Sequence, residues 1–157
     1  MSETIPSTDL AARAREAIEQ VCTGVNPAAA GEYYDPGYVD HVNSLEYHGI
    51  DGIRESVALY QELFPDLRFT IETQIHEGDR VASLWVLHGT YRGKGVKLRG
   101  TTLSRFRDDK IVEDIGCTDT IEVARQLGVW RTILLAITHP RLVLGSGQKE
   151  KPTHTHG

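Results

Sequence analysis

Residues 64–119 read FPDLRFTIETQIHEGDRVASLWVLHGTYRGKGVKLRGTTLSRFRDDKIVEDIGCTD, and this stretch decides the fold. Leu67, Phe69, Ile71 and Ile75 alternate with Arg68, Thr70, Glu72 and Gln74. A period of two predicts a strand with one wet face. Glu77-Gly78-Asp79 turns the chain into a second strand, Val81–Tyr91, and Gly93-Lys94-Gly95 turns it into a third, Lys97–Arg107. Asp108-Asp109 leads to a fourth, Ile111–Asp119. Turn residues at such regular intervals predict an antiparallel meander.

Upstream, the period is helical. Leu10, Ala14, Ala17, Ile18 and Val21 form one apolar face from Asp9 to about Thr23, and Asn26-Pro27 breaks it. Residues 28–34 read as a short helix stopped by Pro36. Gly49–Phe64 carries the stripe Ile53, Val57, Tyr60 and Phe64, with Asp51 as expected N-cap. Between these lies YVDHVNSLEY, residues 38–47, which reads as irregular. Helices before strands is the α+β order. Only the leading helices can cover the sheet's dry face, so the expected shape is a cone-shaped barrel: helices packed into a curved antiparallel sheet, with one open-ended pocket.

With 157 residues, 39% of them hydrophobic, the chain suits one domain. That domain is read as residues 1–128, with 1–8 disordered. Residues 129–157 form an extension: an apolar helix-like segment from Trp130, then a loose tail, GSGQKEKPTHTHG. Net charge is −5 with no basic block, so nucleic acid is not an expected partner. No apolar run spans a bilayer, and no basic start precedes one, which points away from membranes and export and toward the cytoplasm. Cys22 and Cys117 match no zinc spacing and read as reduced thiols, each a small buried hydrophobe. His154 and His156 lie in the tail and read as disordered rather than metal-binding.

The order of elements resembles the SnoaL-like polyketide cyclases of the nuclear-transport-factor-2-like superfamily. FPDL, EGDRV and the Gly89-Thr90 strand end carry the likeness, with LSRFRDDKIVED, TDTIEVARQLG and, more weakly, PGYVDHV. It covers about residues 10–128. The resemblance implies an intramolecular aldol ring closure needing neither metal nor organic cofactor, a polyketide-like small-molecule substrate and a homodimer paired through the outer sheet face. Trp85, Leu87 and Leu103 are expected as apolar patches on that face.

In that family the catalytic aspartate stands nine residues before the last glycine of the RQLG ending, and from Gly128 this spacing leads to Asp119. On a regular strand Asp119 shares a face with Ile111, Ile115 and Cys117, where desolvation would raise its basicity. Capping of the helix starting near Ile121 is the competing role. Tyr38, Asp40 and His41 fall where relatives place pocket-lining groups, and an aspartate in this region is the base of the steroid-isomerase branch. His88 is expected to face the pocket with Leu84 and Val86, and the face holding Ser83, Trp85 and Leu87 to turn away. Thr102 and Ser104 share a face with Leu98 and Phe106; Thr102 stands where such a cyclase carries a substrate-binding histidine. The hairpin RGKGVKL is shorter than in relatives, and residues 130–144 are expected to cover the pocket mouth or extend a dimer interface.

The resemblance fixes the family more firmly than the reaction. An enzymatic cyclase is the leading expectation. Hydroxylation of a polycyclic polyketide with a partner reductase, and a non-catalytic binding domain, are the alternatives; a dehydratase or isomerase comes behind. Arg99-Gly100-Thr101 lacks the Arg–Asp pair of the superfamily's epoxide hydrolases.

Overall fold

The computed structural model describes residues 9–144. The expected disordered start and loose tail lie outside these residues. Asp9 caps helix α1 (Leu10–Ala17), accepting from the amides of Ala11 and Ala12 at 3.0 and 3.2 Å. The helix runs on as a π-helical turn, Ile18–Cys22, and a 3-10 turn, Pro27–Ala29, leads into α2 (Ala30–Tyr33). Strands β1 (Tyr34–Val42) and β2 (Leu45–His48) follow, then α3 (Gly49–Leu63). The meander is β3 (Arg68–Glu77), β4 (Arg80–Tyr91), β5 (Lys94–Arg107) and β6 (Lys110–Thr118). Helices α4 (Thr120–Leu127), α5 (Val129–Thr138) and α6 (Pro140–Leu144) close the described chain.

The strands form one curved, unclosed sheet in the order β2-β1-β6-β5-β4-β3. The α+β expectation holds, with two corrections. The segment read as irregular is a hairpin, turned at Asn43 with φ 52°. Its first strand pairs parallel to β6, so the sheet is mixed. The cap of α3 also differs: the helix begins at Gly49, and Asp51 lies in its first turn, where it pairs with Arg54 at 3.0 Å.

Two bulges alter which side chains face inward. Ile71 pairs with Trp85 but Thr73 pairs with Leu84, leaving Glu72 unpaired. Beyond it the alternation reverses, so Gln74 points inward to Ser83 while Ile75 is 70% exposed. On β6, Ile111 pairs with Phe106 and Glu113 with Arg105, leaving Val112 unpaired. Ile111 is buried, yet Ile115 is 46% exposed. The expected shared face of Ile111, Ile115, Cys117 and Asp119 is therefore broken between its first and second members.

The core has two lobes. One gathers Ala14, Ala17, Val21, Tyr34, Ile53, Val57, Phe106 and Ile111; the other Ile18, Leu63, Phe64, Trp85, Leu87, Tyr91, Leu98 and Leu127. Each fully buried large side chain contributes roughly 1.5–3 kcal/mol. Trp85 and Leu87 belong to the inner face and do not form the expected outer patch. Leu135 and Leu142 pack on the second lobe, while Trp130, Ile133 and Ile137 stay exposed.

Gly89 leaves room for Phe64: a Cβ there would fall 2.7 Å from the Phe64 Cβ. Gly89→Ala should cost about 1–3 kcal/mol in urea denaturation by forcing these elements apart. An unchanged midpoint would show that α3 shifts freely against β4.

Candidate functional site

Between helices and sheet lies a cavity of about 100 Å³. Ile18, Ile53, Val57, Phe69, Trp85, Leu87 and Leu98 make most of its wall apolar. Its polar groups are few: Tyr34, Tyr38 and Asp40 on β1, Asp114 and Thr118 on β6, Thr102 on β5, Ser56 and Tyr60 on α3, and Cys22. An apolar enclosure with a small set of convergent polar groups is the usual form of a small-molecule site.

Two of those groups are carboxylates that face one another. Asp40 and Asp114 are direct partners in the parallel β1–β6 register. Neighbouring strands lie ~4.8 Å apart, so their side chains stand next to each other on the concave face. The Tyr38 hydroxyl donates to Asp114 Oδ2 at 2.8 Å. Asp114 is 6% exposed, and its Oδ1 is buried without a hydrogen bond of normal geometry. A buried, unpartnered carboxylate oxygen is costly and calls for an explanation.

Burial shapes the proton affinity of every group here. It pushes Asp40 up to about 8; the neighbouring Asp114 charge adds to the rise, and the Tyr38 hydroxyl opposes it. It raises Asp114 to about 6, against the pull of the facing Ser104 and Tyr38 hydroxyls. Tyr34 and Tyr38 are raised well above the ordinary tyrosine value, again mainly by burial. Cys22, whose Sγ lies 3.5 Å from the Tyr34 hydroxyl, is pushed up to about 12 and stays a thiol. Tyr38 has one proton and gives it to Asp114. Burial and the neighbouring Asp114 charge hold Asp40 above Asp114, so near neutral pH the two carboxyls hold one proton between them.

Of the residues singled out from sequence, Tyr38, Asp40 and Thr102 line the cavity. Ser104 is buried opposite Asp114 in the β5–β6 register. His41 does not face inward: adjacent strand residues alternate, and Asp40 takes the inner face. His41 bonds outside to Glu46 at 3.1 Å and lies 3.6 Å from Glu113. His88 is turned away for the same reason, because Trp85 and Leu87 face in. Cys117 is exposed, contrary to its reading as a buried hydrophobe. Asp119 is exposed at the N-cap of α4, and its Oδ1 accepts the Glu122 amide at 3.0 Å. Among the described side chains none of α5 or α6 lines this cavity; Thr138, Pro140, Arg141 and Leu142 border a separate groove beside α3.

Asp114 escaped sequence reading. It follows Glu113 in KIVED, and on a regular strand it would fall on the face opposite Ile111 and Ile115. The available signal was Tyr38 and Asp40, two apart on one strand face. Among the described residues no cluster of three or more His, Cys, Asp or Glu is placed to hold a metal, and no helix is long and apolar enough to cross a membrane.

A cone of helices over a curved sheet around one polar-floored cavity is the ketosteroid-isomerase-like architecture. A protein of that fold from Catenulispora acidiphila DSM 44928, solved with trimethylamine, superposes with a TM-score of 0.66 at 21% identity, covering 76% of this chain and 92% of that one. IdmH, a provisionally assigned polyketide cyclase from Streptomyces antibioticus, gives 0.69 at 21% identity over 77% of this chain and 99% of its own. A provisionally assigned SnoaL-like polyketide cyclase from Jannaschia sp. CCS1 gives 0.68 at 20% identity over 80% and 96%. No functionally curated protein matches the sequence. The family model of the SnoaL-like polyketide cyclases matches residues 12–127, and the chain belongs to that family.

The raised Asp40 makes stability depend on pH with a definite sign. Its protonated form is favoured by folding, so its contribution is complete below about pH 4 and is lost as pH rises towards 8. Asp40→Asn removes that loss. In urea denaturation the variant should be at least as stable as wild type, by about 2–4 kcal/mol at pH 9, with the gap closing towards pH 4. Parallel pH profiles would show that Asp40 is solvated.

Proposed function

We propose that this protein is a cofactor-free enzyme that moves a proton between carbon and oxygen, most simply an intramolecular aldol ring closure of a polyketide-like intermediate. The observation that carries this reading is the Asp40–Tyr38–Asp114 group in an otherwise apolar cavity.

Each member has a part. Asp114, which lines the cavity and is ionised above about pH 6, takes a proton from a carbon next to a carbonyl. The C–H electron pair becomes the C=C bond of an enolate, and the carbonyl π pair moves to oxygen. The enolate carbon attacks a second carbonyl of the same molecule. That oxygen takes the proton held by Asp40, which stays protonated to about pH 8. The proton now on Asp114 passes to Asp40, its direct partner across β1–β6, and the starting state is restored. One C–H and one C=O become one C–C and one O–H, with no net oxidation and no proton lost. The apolar wall supports the step by keeping the carboxyls poorly solvated and therefore basic.

Size limits the substrate. An engineered apolar cavity of ~150 Å³ takes up benzene. The cavity here is of about 100 Å³, so it admits a fragment no larger than one ring. A polycyclic substrate must place its reacting end inside and the remainder at the mouth, or open the cavity.

The family position of Asp119 offers a rival base, and substitution separates the two. Ring closure, or α-proton exchange of ethyl acetoacetate into D₂O followed by NMR, should follow a bell-shaped pH profile with limbs near 6 and 8. Asp40→Asn and Asp114→Asn should each lower kcat by about 10²–10⁴, and Asp119→Asn, which keeps a capping side-chain oxygen, should leave both turnover and stability nearly unchanged. Loss of turnover in Asp119→Asn alone would transfer the role to Asp119. Strict dependence on oxygen and a reductant would favour the hydroxylating alternative.

A further inference from the structure

Thr102 sits in the cavity wall with an unusual division of its hydrogen-bonding capacity. Its Oγ1 accepts from the Trp85 indole Nε1 at 2.9 Å. Indole N–H is a donor only, so the threonine oxygen must be the acceptor, and its own proton is left over. No acceptor among the described residues is in reach of that proton. Oγ1 is thus fixed in place and its O–H polarised, with the donor free toward the cavity.

Gly100 makes the arrangement possible. It lies opposite Trp85 in the β4–β5 register, and a Cβ there would fall 2.2 Å from the indole ring. The ring lies across the Gly100 backbone and brings its N–H to the next inward position on β5, Thr102. Gly116 faces Thr102 across β5–β6. A Cβ on Gly116 would stand 4.0 Å from Thr102 Oγ1 and 3.9 Å from Val42 Cγ2, ordinary contact distances. A methyl group would fit there without moving anything, so the glycine leaves a methyl-sized space between the hydroxyl and Val42.

Asp114 is two residues from Gly116 on β6, hence diagonal to Thr102. Diagonal neighbours on one sheet face are ~7–8 Å apart. A base needs ~3 Å to a C–H carbon, and a carbonyl oxygen ~2.8 Å to a hydroxyl donor. One H–C–C=O unit fills the interval between them.

We propose that the Thr102 hydroxyl is the hydrogen-bond donor to the substrate's carbonyl oxygen, that Trp85 positions it, and that Gly116 leaves the gap the carbonyl occupies. The ligand class follows: an enolisable ketone or thioester, oxygen toward β5 and α-carbon toward Asp114. The inference rests on the proton-transfer reading above and assigns the charge-stabilising group that reading lacks.

The test uses ethyl acetoacetate labelled with ¹³C at its ketone carbon. On binding to the full-length protein the ketone resonance should move downfield, as a carbonyl accepting a strong hydrogen bond does. Thr102→Val, of the same shape without the hydroxyl, should abolish the shift and weaken binding about tenfold. Thr102→Ser should restore both, and Trp85→Phe should reduce the shift with Thr102 still present. Gly116→Ala should keep the wild-type melting temperature and lose the ligand. An unchanged shift in Thr102→Val, or unimpaired binding in Gly116→Ala, overturns the assignment. The two readings fail separately. If Thr102→Val keeps the shift while Asp114→Asn loses exchange, only the donor is wrong. If Asp114→Asn exchanges normally while Thr102→Val loses the shift, only the base is wrong. A wild-type protein that binds no ketone removes both.

Discussion

One unpaired residue, Val112, decides what the cavity contains. With Val112 in the ladder, β6 would turn Glu113 and Ile115 inward and leave Asp114 on the wet side. Because it is bulged out, Glu113 faces Arg105 outside at 2.9 Å, and Asp114 faces Ser104 and Asp40 inside. The same shift puts Gly116 opposite Thr102 and sends Ile115 and Cys117 to the surface. Bulges gather beside functional sites because they re-aim side chains without changing the sheet. Here the bulge places two acids side by side in a nearly dry space, and only a shared proton makes that tolerable.

The short family motifs fix the walls around that pair. Pro65 ends α3, and Asp66 then reaches β4: its Oδ1 accepts the Thr90 amide at 2.6 Å and its Oδ2 the Thr90 hydroxyl at 2.7 Å. With Phe64 packed on Gly89, FPDL and Gly89-Thr90 form one clamp between helix and sheet. RQLG makes another. Gln126 bonds the Lys97 backbone in both directions, at 2.8 and 2.7 Å, and Leu127 is buried in the second core lobe. At the other edge Asn43 adopts left-handed φ and accepts the Thr118 amide at 3.1 Å, tying the β1–β2 hairpin to the end of β6. These clamps tie the helices and the β1–β2 hairpin to the sheet around the cavity.

The sequence disclosed what local chemistry controls. The four meander strands, their turns and the amphipathic helices follow from periodicity and from Gly, Pro and Asp positions, and the structure has them. The β1–β2 hairpin was hidden because YVDHVNSLEY mixes polar and apolar residues on both faces, Tyr38, Asp40 and Val42 on one and Val39 and His41 on the other, so it lacks a strand's alternation. Its parallel pairing to β6 joins residues more than 70 positions apart, which no local pattern reports. The bulges at Glu72 and Val112 were hidden for a different reason: they change parity without changing composition. The family resemblance made Tyr38, Asp40 and Thr102 legible as cavity residues and also put His41 and His88 inside, whereas the β6 bulge is why Asp114 was passed over and Cys117 was expected inside.

The polar floor of the cavity has no evident structural purpose. Apolar residues of similar volume would fill the space at no desolvation cost, and replacing buried charges in that way is often neutral or stabilising. Instead the chain carries two carboxyls, a phenol bridging to one of them, an oxygen without a partner and a hydroxyl with a spare proton. It also keeps glycines where a side chain would push Trp85 aside or occupy the space beside Thr102. Each choice gives up stability or packing, and all lie on one face in adjoining rows of the sheet. Local rules broken together in one place are what a functional site is expected to show. On the reading proposed above, the groups retained serve as an acid, a base and a neutral donor, the set that proton transfer at carbon requires.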